Sequence, residues 1–139
     1  MKYVSFLFAL ALIGWAGLAN ASERLSINFN YSSNESYYSC SYVQGQASKI
    51  LSTLGAENIV TQCQGGIQND LQPLPISMQA TYTHHVKSGK KVVLKGHDAC
   101  EMNIKLIGTI LSTIDHDIID WDAACWGSQG SYKIKLELE

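Results

Sequence analysis

One stretch of local grammar occurs twice in this chain of 139 residues. Cys40 is followed ten positions later by Ile50-Leu51-Ser52-Thr53-Leu54, and Cys100 ten positions later by Ile110-Leu111-Ser112-Thr113-Ile114. Each copy ends on a second cysteine near glycine, Cys63 ahead of Gly65-Gly66 and Cys125 ahead of Gly127. Such a repeat constrains the fold strongly, because two copies of one supersecondary unit stack into a core that a single copy does not close. It carries no chemistry, so function is to be sought where the copies differ.

The first 21 residues combine Lys2, an apolar run from Val4 to Leu18, and Ala19-Asn20-Ala21, which fits the small-x-small rule for signal peptidase. The reading is a signal peptide, 1–21, removed after Ala21. The run contains Ser5, Gly14 and Gly17 and falls short of the roughly 20 apolar residues of a spanning helix, so no membrane span is expected after cleavage. Residues 22–139 suit one domain, with repeat one over 22–84 and repeat two over 90–139. Leaving out Lys2, nine basic side chains face twelve acidic ones and form no basic cluster. Phosphate binding needs concentrated Lys and Arg, so nucleic acid is not an expected partner.

Four cysteines in an exported chain predict two disulfides and a secreted or periplasmic location. Structural zinc is the weaker reading, since no short Cys-x-x-Cys clamp is present.

Leu25, Ile27, Phe29 and Tyr31 alternate with polar residues, as do Ile76, Met78, Ala80 and Tyr82, and again Tyr132, Ile134, Leu136 and Leu138. That period of two predicts strands with one buried and one wet face, and hence a largely antiparallel sheet. Val43, Ala47, Ile50, Leu51 and Leu54 instead fall on one helical stripe that Gly55 can end. An offset of sixty residues gives Asn103, Ile107, Ile110, Leu111 and Ile114, apolar at four of five positions. Asp98 and Glu101 have capping-box spacing at the start of this second helix; for the first, Ser39 and Ser41 both qualify. Strands are expected over 58–62, 91–97 and 118–124, with Ile119, Trp121, Ala123 and Cys125 on one face of the last.

This order bears on the cysteine pairing. The first helix carries the chain about 20 Å from Cys40, and the following strand recovers a similar length at about 3.3 Å per residue. Cys63 therefore returns to Cys40, and Cys125 to Cys100 by the same reasoning. A cross-repeat pairing stays open, because all four cysteines come to one end. The expected fold class is α+β: a two-layer sandwich with a mostly antiparallel six-stranded sheet and two helices on one face, built from two strand-helix-strand-strand repeats. In outline this resembles a ferredoxin-like or duplicated arrangement, a likeness of topology that transfers no function.

No catalytic motif is present: no His-Glu-x-x-His, no Gly-x-Ser-x-Gly, no phosphate-binding glycine loop. The chain reads as non-enzymatic, with no cofactor beyond a transition metal. His84 and His85 follow the third strand, and Asp115-His116-Asp117 follow the second helix, which brings both groups to the end opposite the cysteines. Their ligand types suit zinc, copper or nickel, so His84, His85 and His116 are candidate metal ligands; the plainer reading is polar loop residues. His97-Asp98 suggests a catalytic pair or, more simply, a helix cap. Asp120 and Asp122 share a strand face, either as an acid-base pair in a hydrolase or as ordinary solvated side chains.

The segment from Tyr31 to Tyr42, YSSNESYYSCSY, has the least usual composition in the chain. Tyrosine gives amphipathic contact area and small polar residues give hydrogen bonds, the mixture of adaptable binding surfaces. Tyr37, Tyr38, Tyr42 and Trp126 are the candidate binding residues, for a protein, peptide or glycan; alternatively these rings cover the disulfides and complete the core. The leading expectation is a small exported binding or inhibitor-type module. Metal binding at the histidine end is the alternative.

Overall fold

The alternating segments fold as strands and the striped segments as helices. The computed structural model describes residues 23–34, 37–68, 72–85 and 88–139; the signal segment read from the sequence lies outside them. The elements run β1 (Glu23–Tyr31), α1 (Cys40–Thr53), β2 (Ala56–Gly66), β3 (Leu74–His84), β4 (Lys90–Gly96), α2 (Cys100–Leu111), β5 (His116–Trp126) and β6 (Gln129–Leu138). The α+β class and the strand-helix-strand-strand order of each half are as expected.

The six strands form two sheets of three rather than one continuous sheet, with orders β1-β3-β2 and β4-β6-β5, every pairing antiparallel. Alternation fixes which face of a strand is wet but not whether the strands of two halves bond to one another. Here β1 and β4 each meet the helix of the other half. α2 packs against β1 as well as β5 and β6, and α1 against β4 as well as β2 and β3.

One continuous core results. Ile27, Phe29 and Tyr31 from β1, Ile76, Met78, Ala80 and Tyr82 from β3, and Tyr132, Ile134, Leu136 and Leu138 from β6 are buried against the two helices. The helices contribute Val43, Ala47, Ile50 and Leu51 on one side and Met102, Leu106, Ile107, Ile110 and Leu111 on the other. Each large aliphatic side chain so buried is worth about 1.5–3 kcal/mol against leaving it in water. Both disulfides close within their own halves, Cys40–Cys63 with Cα atoms 5.6 Å apart and Cys100–Cys125 at 5.4 Å.

Helix starts differ between the halves. Ser39 caps α1 by accepting a hydrogen bond from the Tyr42 amide at 3.2 Å. The expected capping box of Asp98 and Glu101 is not formed: the cap position of α2 is Ala99, in left-handed backbone, with no side-chain cap bond. The first amides of α2 instead donate to the β5–β6 turn, Cys100 to the Ser128 carbonyl (3.3 Å) and Glu101 to that of Gly127 (3.0 Å). With those donors satisfied by backbone, Glu101 is left to pair with Lys105 one turn along, at 3.6 Å.

Matched at the centres of their middle strands, the halves correspond over part of their length, with Cys63 and Cys125 two positions out of step. Ala80 pairs with Ile27 and Thr61, and Ile134 pairs with Leu94 and Trp121, so Phe29 corresponds to Gly96. Two connections break the correspondence. Between first strand and helix the chain runs eight residues (32–39) in the first half and three (97–99) in the second. Between the last two strands of each half it runs seven residues (67–73) in the first and two, Gly127-Ser128, in the second.

Candidate functional site

The two long connections of the first half meet each other at the cysteine end. The Ile67 amide donates to the Tyr38 carbonyl at 3.0 Å, and Ser39 and Gly66 form an isolated antiparallel bridge. Gly66 has φ +75°, and a Cβ there would lie 2.6 Å from the Tyr38 carbonyl oxygen, so the approach requires glycine. A cavity of about 180 Å³ lies between the connections, walled by the Tyr31–Asn34 stretch, Tyr37 and Tyr38 on one side and Pro73 to Ile76 on the other.

The four aromatic candidates separate by environment. Tyr38 is half-buried and belongs to a ladder of rings: Phe29 to Tyr31 at 6.2 Å between centroids, Tyr31 to Tyr38 at 5.9 Å, Tyr38 to Tyr42 at 5.6 Å. Tyr42 is likewise half-buried against the core, and burial pushes its phenol above the ordinary tyrosine range. Lys105 of α2 places its ammonium 5.2 Å from the Tyr31 ring centroid, joining the ladder to the second half. Tyr37 points outward, 51 % exposed, with its hydroxyl 3.4 Å from the Asn34 carbonyl that it donates to. Trp126 is 74 % exposed at the end of β5, next to Cys125. The core-completing alternative therefore describes Tyr38 and Tyr42, and the surface reading describes Tyr37 and Trp126.

At the other end the structure does not bring the three histidines into a metal site. His84 is buried, its ring Nε2 3.0 Å from the Leu54 carbonyl, where it donates to the last turn of α1. His85 is exposed and 3.5 Å from Glu57. His116 directs Nδ1 to the Ile114 carbonyl at 2.6 Å. Among the described residues no group of three or more His, Cys, Asp and Glu side chains could hold a metal ion. Topology places loops at one end; it does not aim their rings at a common point.

Asp120 pairs with Lys135 across the β5–β6 ladder at 3.4 Å, and Asp122 faces Lys133 in the same register. Both lie on the exposed outer face of the sheet. His97 and Asp98 are exposed and 3.8 Å apart.

Sequence reasoning missed the exposure of β5. Ile119 and Trp121, placed by the alternation on one face with Ala123 and Cys125, are both exposed, as is Ile118, along a strand that pairs only with β6. The ladder slips between Ile118 and Asp120, and the matching irregularity in β2, between Glu57 and Val60, includes Asn58 in left-handed backbone. Extra residues of this kind bend an edge strand and discourage further pairing. Among the described residues no helix is long and apolar enough to cross a membrane. Comparison with protein-family models, with curated proteins and with solved structures finds no match to this chain.

Proposed function

We propose that the chain is a small exported, non-enzymatic binding module whose contact surface is the pair of long connections in the first half, with Tyr37 at its centre. The observation that carries this reading is the asymmetry between the halves. The second half closes the same element order with connections of three and two residues, so the longer ones of the first half are not required by the scaffold. Long connections on a rigid frame are where binding residues concentrate. The described residues of these connections line a cavity that includes both Tyr37 and exposed Leu74. Tyr37 supplies a large amphipathic surface with few rotatable bonds, and the neighbouring Ser32, Ser33 and Asn34 supply hydrogen-bonding groups, a combination suited to a protein, peptide or glycan. Trp126 offers a second aromatic contact.

The two disulfides are consistent with an oxidising compartment, which favours secretion or the periplasm. The experiment is capture of partners by the immobilised, disulfide-bonded chain, compared with Tyr37→Ala and Trp126→Ala. Both side chains are exposed, so these variants keep the fold. Loss of a partner with either change supports the reading; an unchanged set of partners with both changes combined overturns it.

A further inference from the structure

The outward faces of the two sheets differ in kind. On the first sheet the register lines up Ser26, Thr81 and Val60 in one row, Asn28, Gln79 and Gln62 in the next, and Asn30, Ser77 and Gln64 in a third. The residues that alternate with them on β1 and β3, among them Ile27, Phe29, Met78 and Ala80, are buried, so these rows face outward. All but the half-buried Thr81 are exposed, and none carries a charge.

The second half shows what the same positions hold on an ordinary wet face. Its rows matching the first two are Val93, Lys135 and Asp120, then Lys95, Lys133 and Asp122, charged everywhere but at Val93. Mixed charges of this kind keep an exposed sheet solvated. On the first sheet Arg24 and Glu57 stand in the row beyond, opposite Thr83 at the histidine end. There Arg24 Nη2 donates to Thr81 Oγ1 at 2.9 Å, and Glu57 lies 3.5 Å from His85.

Among the described residues the side chains of Asn28, Gln79, Gln62, Asn30, Ser77 and Gln64 form no hydrogen bond with protein. Each amide offers two donors and an acceptor, and the Ser77 hydroxyl both donates and accepts. Neighbouring strands stand about 4.8 Å apart, close to the length of one pyranose unit in an extended β-linked chain. A glycan laid across the strands therefore meets one amide per sugar along Asn28, Gln79 and Gln62. The row through Ser77, about 6.6 Å further along the strands, reaches hydroxyls on the other edge of the same chain.

The chemistry of the face selects among partners. Covering a charge costs desolvation that a neutral ligand does not offset, and these rows have no charge to cover. Nucleic acid and anionic lipid need cations, which the rows lack. A protein interface needs buried aromatic or arginine anchors, and the one apolar side chain in the three rows is Val60.

We propose that the outward face of the first sheet binds an extended, uncharged β-linked glycan through Asn28, Gln79 and Gln62, supported by Asn30, Ser77 and Gln64. This surface differs from the connections around Tyr37 and does not rest on their reading. Single neutral hydrogen bonds add little net affinity, so binding grows with the number of sugars that reach a row.

The test is titration of the disulfide-bonded, isotope-labelled chain with cellohexaose, chitohexaose and hexagalacturonate in separate experiments, followed by side-chain amide resonances. The first two distinguish plain from N-acetylated members of the class. Saturable shifts are expected at the amides of Asn28, Gln62 and Gln79 with at least one of them, insensitive to salt, with hexagalacturonate about tenfold weaker. Asn28→Lys, Gln79→Lys and Gln62→Asp together give this row the side chains of its counterpart in the second half. Backbone amide shifts of the second half report that the variant is folded, and it is expected to bind about tenfold more weakly or less. Tyr37→Ala is expected to leave binding unchanged. No saturable shift at those amides with either neutral hexasaccharide, equal binding of hexagalacturonate, undiminished binding by the folded triple variant, or loss of binding with Tyr37→Ala would each overturn the proposal.

Discussion

The hydroxyl of Tyr82, at the centre of the first sheet, hydrogen-bonds the hydroxyl of Thr113, just past the end of α2. Thr113 itself donates to the Ile110 carbonyl at 2.8 Å, so it accepts from Tyr82. Tyr82→Phe removes this one bond between the halves and leaves the ring in place. The expected loss is about 1 kcal/mol, against roughly 3–5 kcal/mol for Tyr82→Ala, which also opens a cavity. Urea denaturation with an unchanged slope measures both.

Each disulfide closes a loop of similar length, with separations of 23 and 25 residues. Replacing either pair by alanine is expected to cost about 3 kcal/mol, by the loop-entropy account. The two costs should be alike; denaturation midpoints of Cys40→Ala/Cys63→Ala and Cys100→Ala/Cys125→Ala, compared with the parent chain, decide it.

Burial pushes the phenols of Tyr31, Tyr42, Tyr82 and Tyr132 above their ordinary value of 10.0. The folded chain therefore holds these protons more tightly than the unfolded chain. Their contribution to stability is complete below pH 10.0 and is lost as pH rises through the folded values. Melting temperature should be flat in this respect up to that point and fall steeply above it. Tyrosinate absorbance from these buried rings should appear late, together with unfolding.

Asn103→Val is expected to stabilise the chain by about 1 kcal/mol, since it removes a buried acceptor, Oδ1, without a hydrogen-bond partner among the described residues. The Nδ2 bond to the Asp98 carbonyl is lost, but Asp98 is exposed and its carbonyl can turn to water. A rise in melting temperature checks the sign; a fall would mean that the amide oxygen is already satisfied by solvent.

The helices, most strands and both disulfides were legible in the sequence because each follows from a local rule. Val43 to Leu54 reads as a helix from its stripe, and Cys63 returns to Cys40 because a helix and a strand of comparable length run in opposite directions. What was not legible depends on neighbours distant in sequence. α2 is capped by the carbonyls of Gly127 and Ser128, which no spacing around Asp98 could announce. Ile119 and Trp121 have the alternation of a half-buried strand, yet β5 stands at the outer edge of its sheet and leaves them exposed. In the tyrosine segment, composition singled out a stretch but could not say that Tyr38 and Tyr42 enter the ring ladder while Tyr37 turns outward. Asn103, by contrast, was visible beforehand as the polar exception in a transferred apolar stripe.

Because α1 lies against β4 and α2 against β1, the boundary between the halves is not a line along which the molecule can come apart. A chain nicked at Ser88-Gly89 would give two fragments, each with a strand stripped of its covering helix and each carrying the helix that the other lacks. Mixed together, such fragments should reassemble without a covalent link, and the intact protein should melt in a single transition despite its two separate sheets.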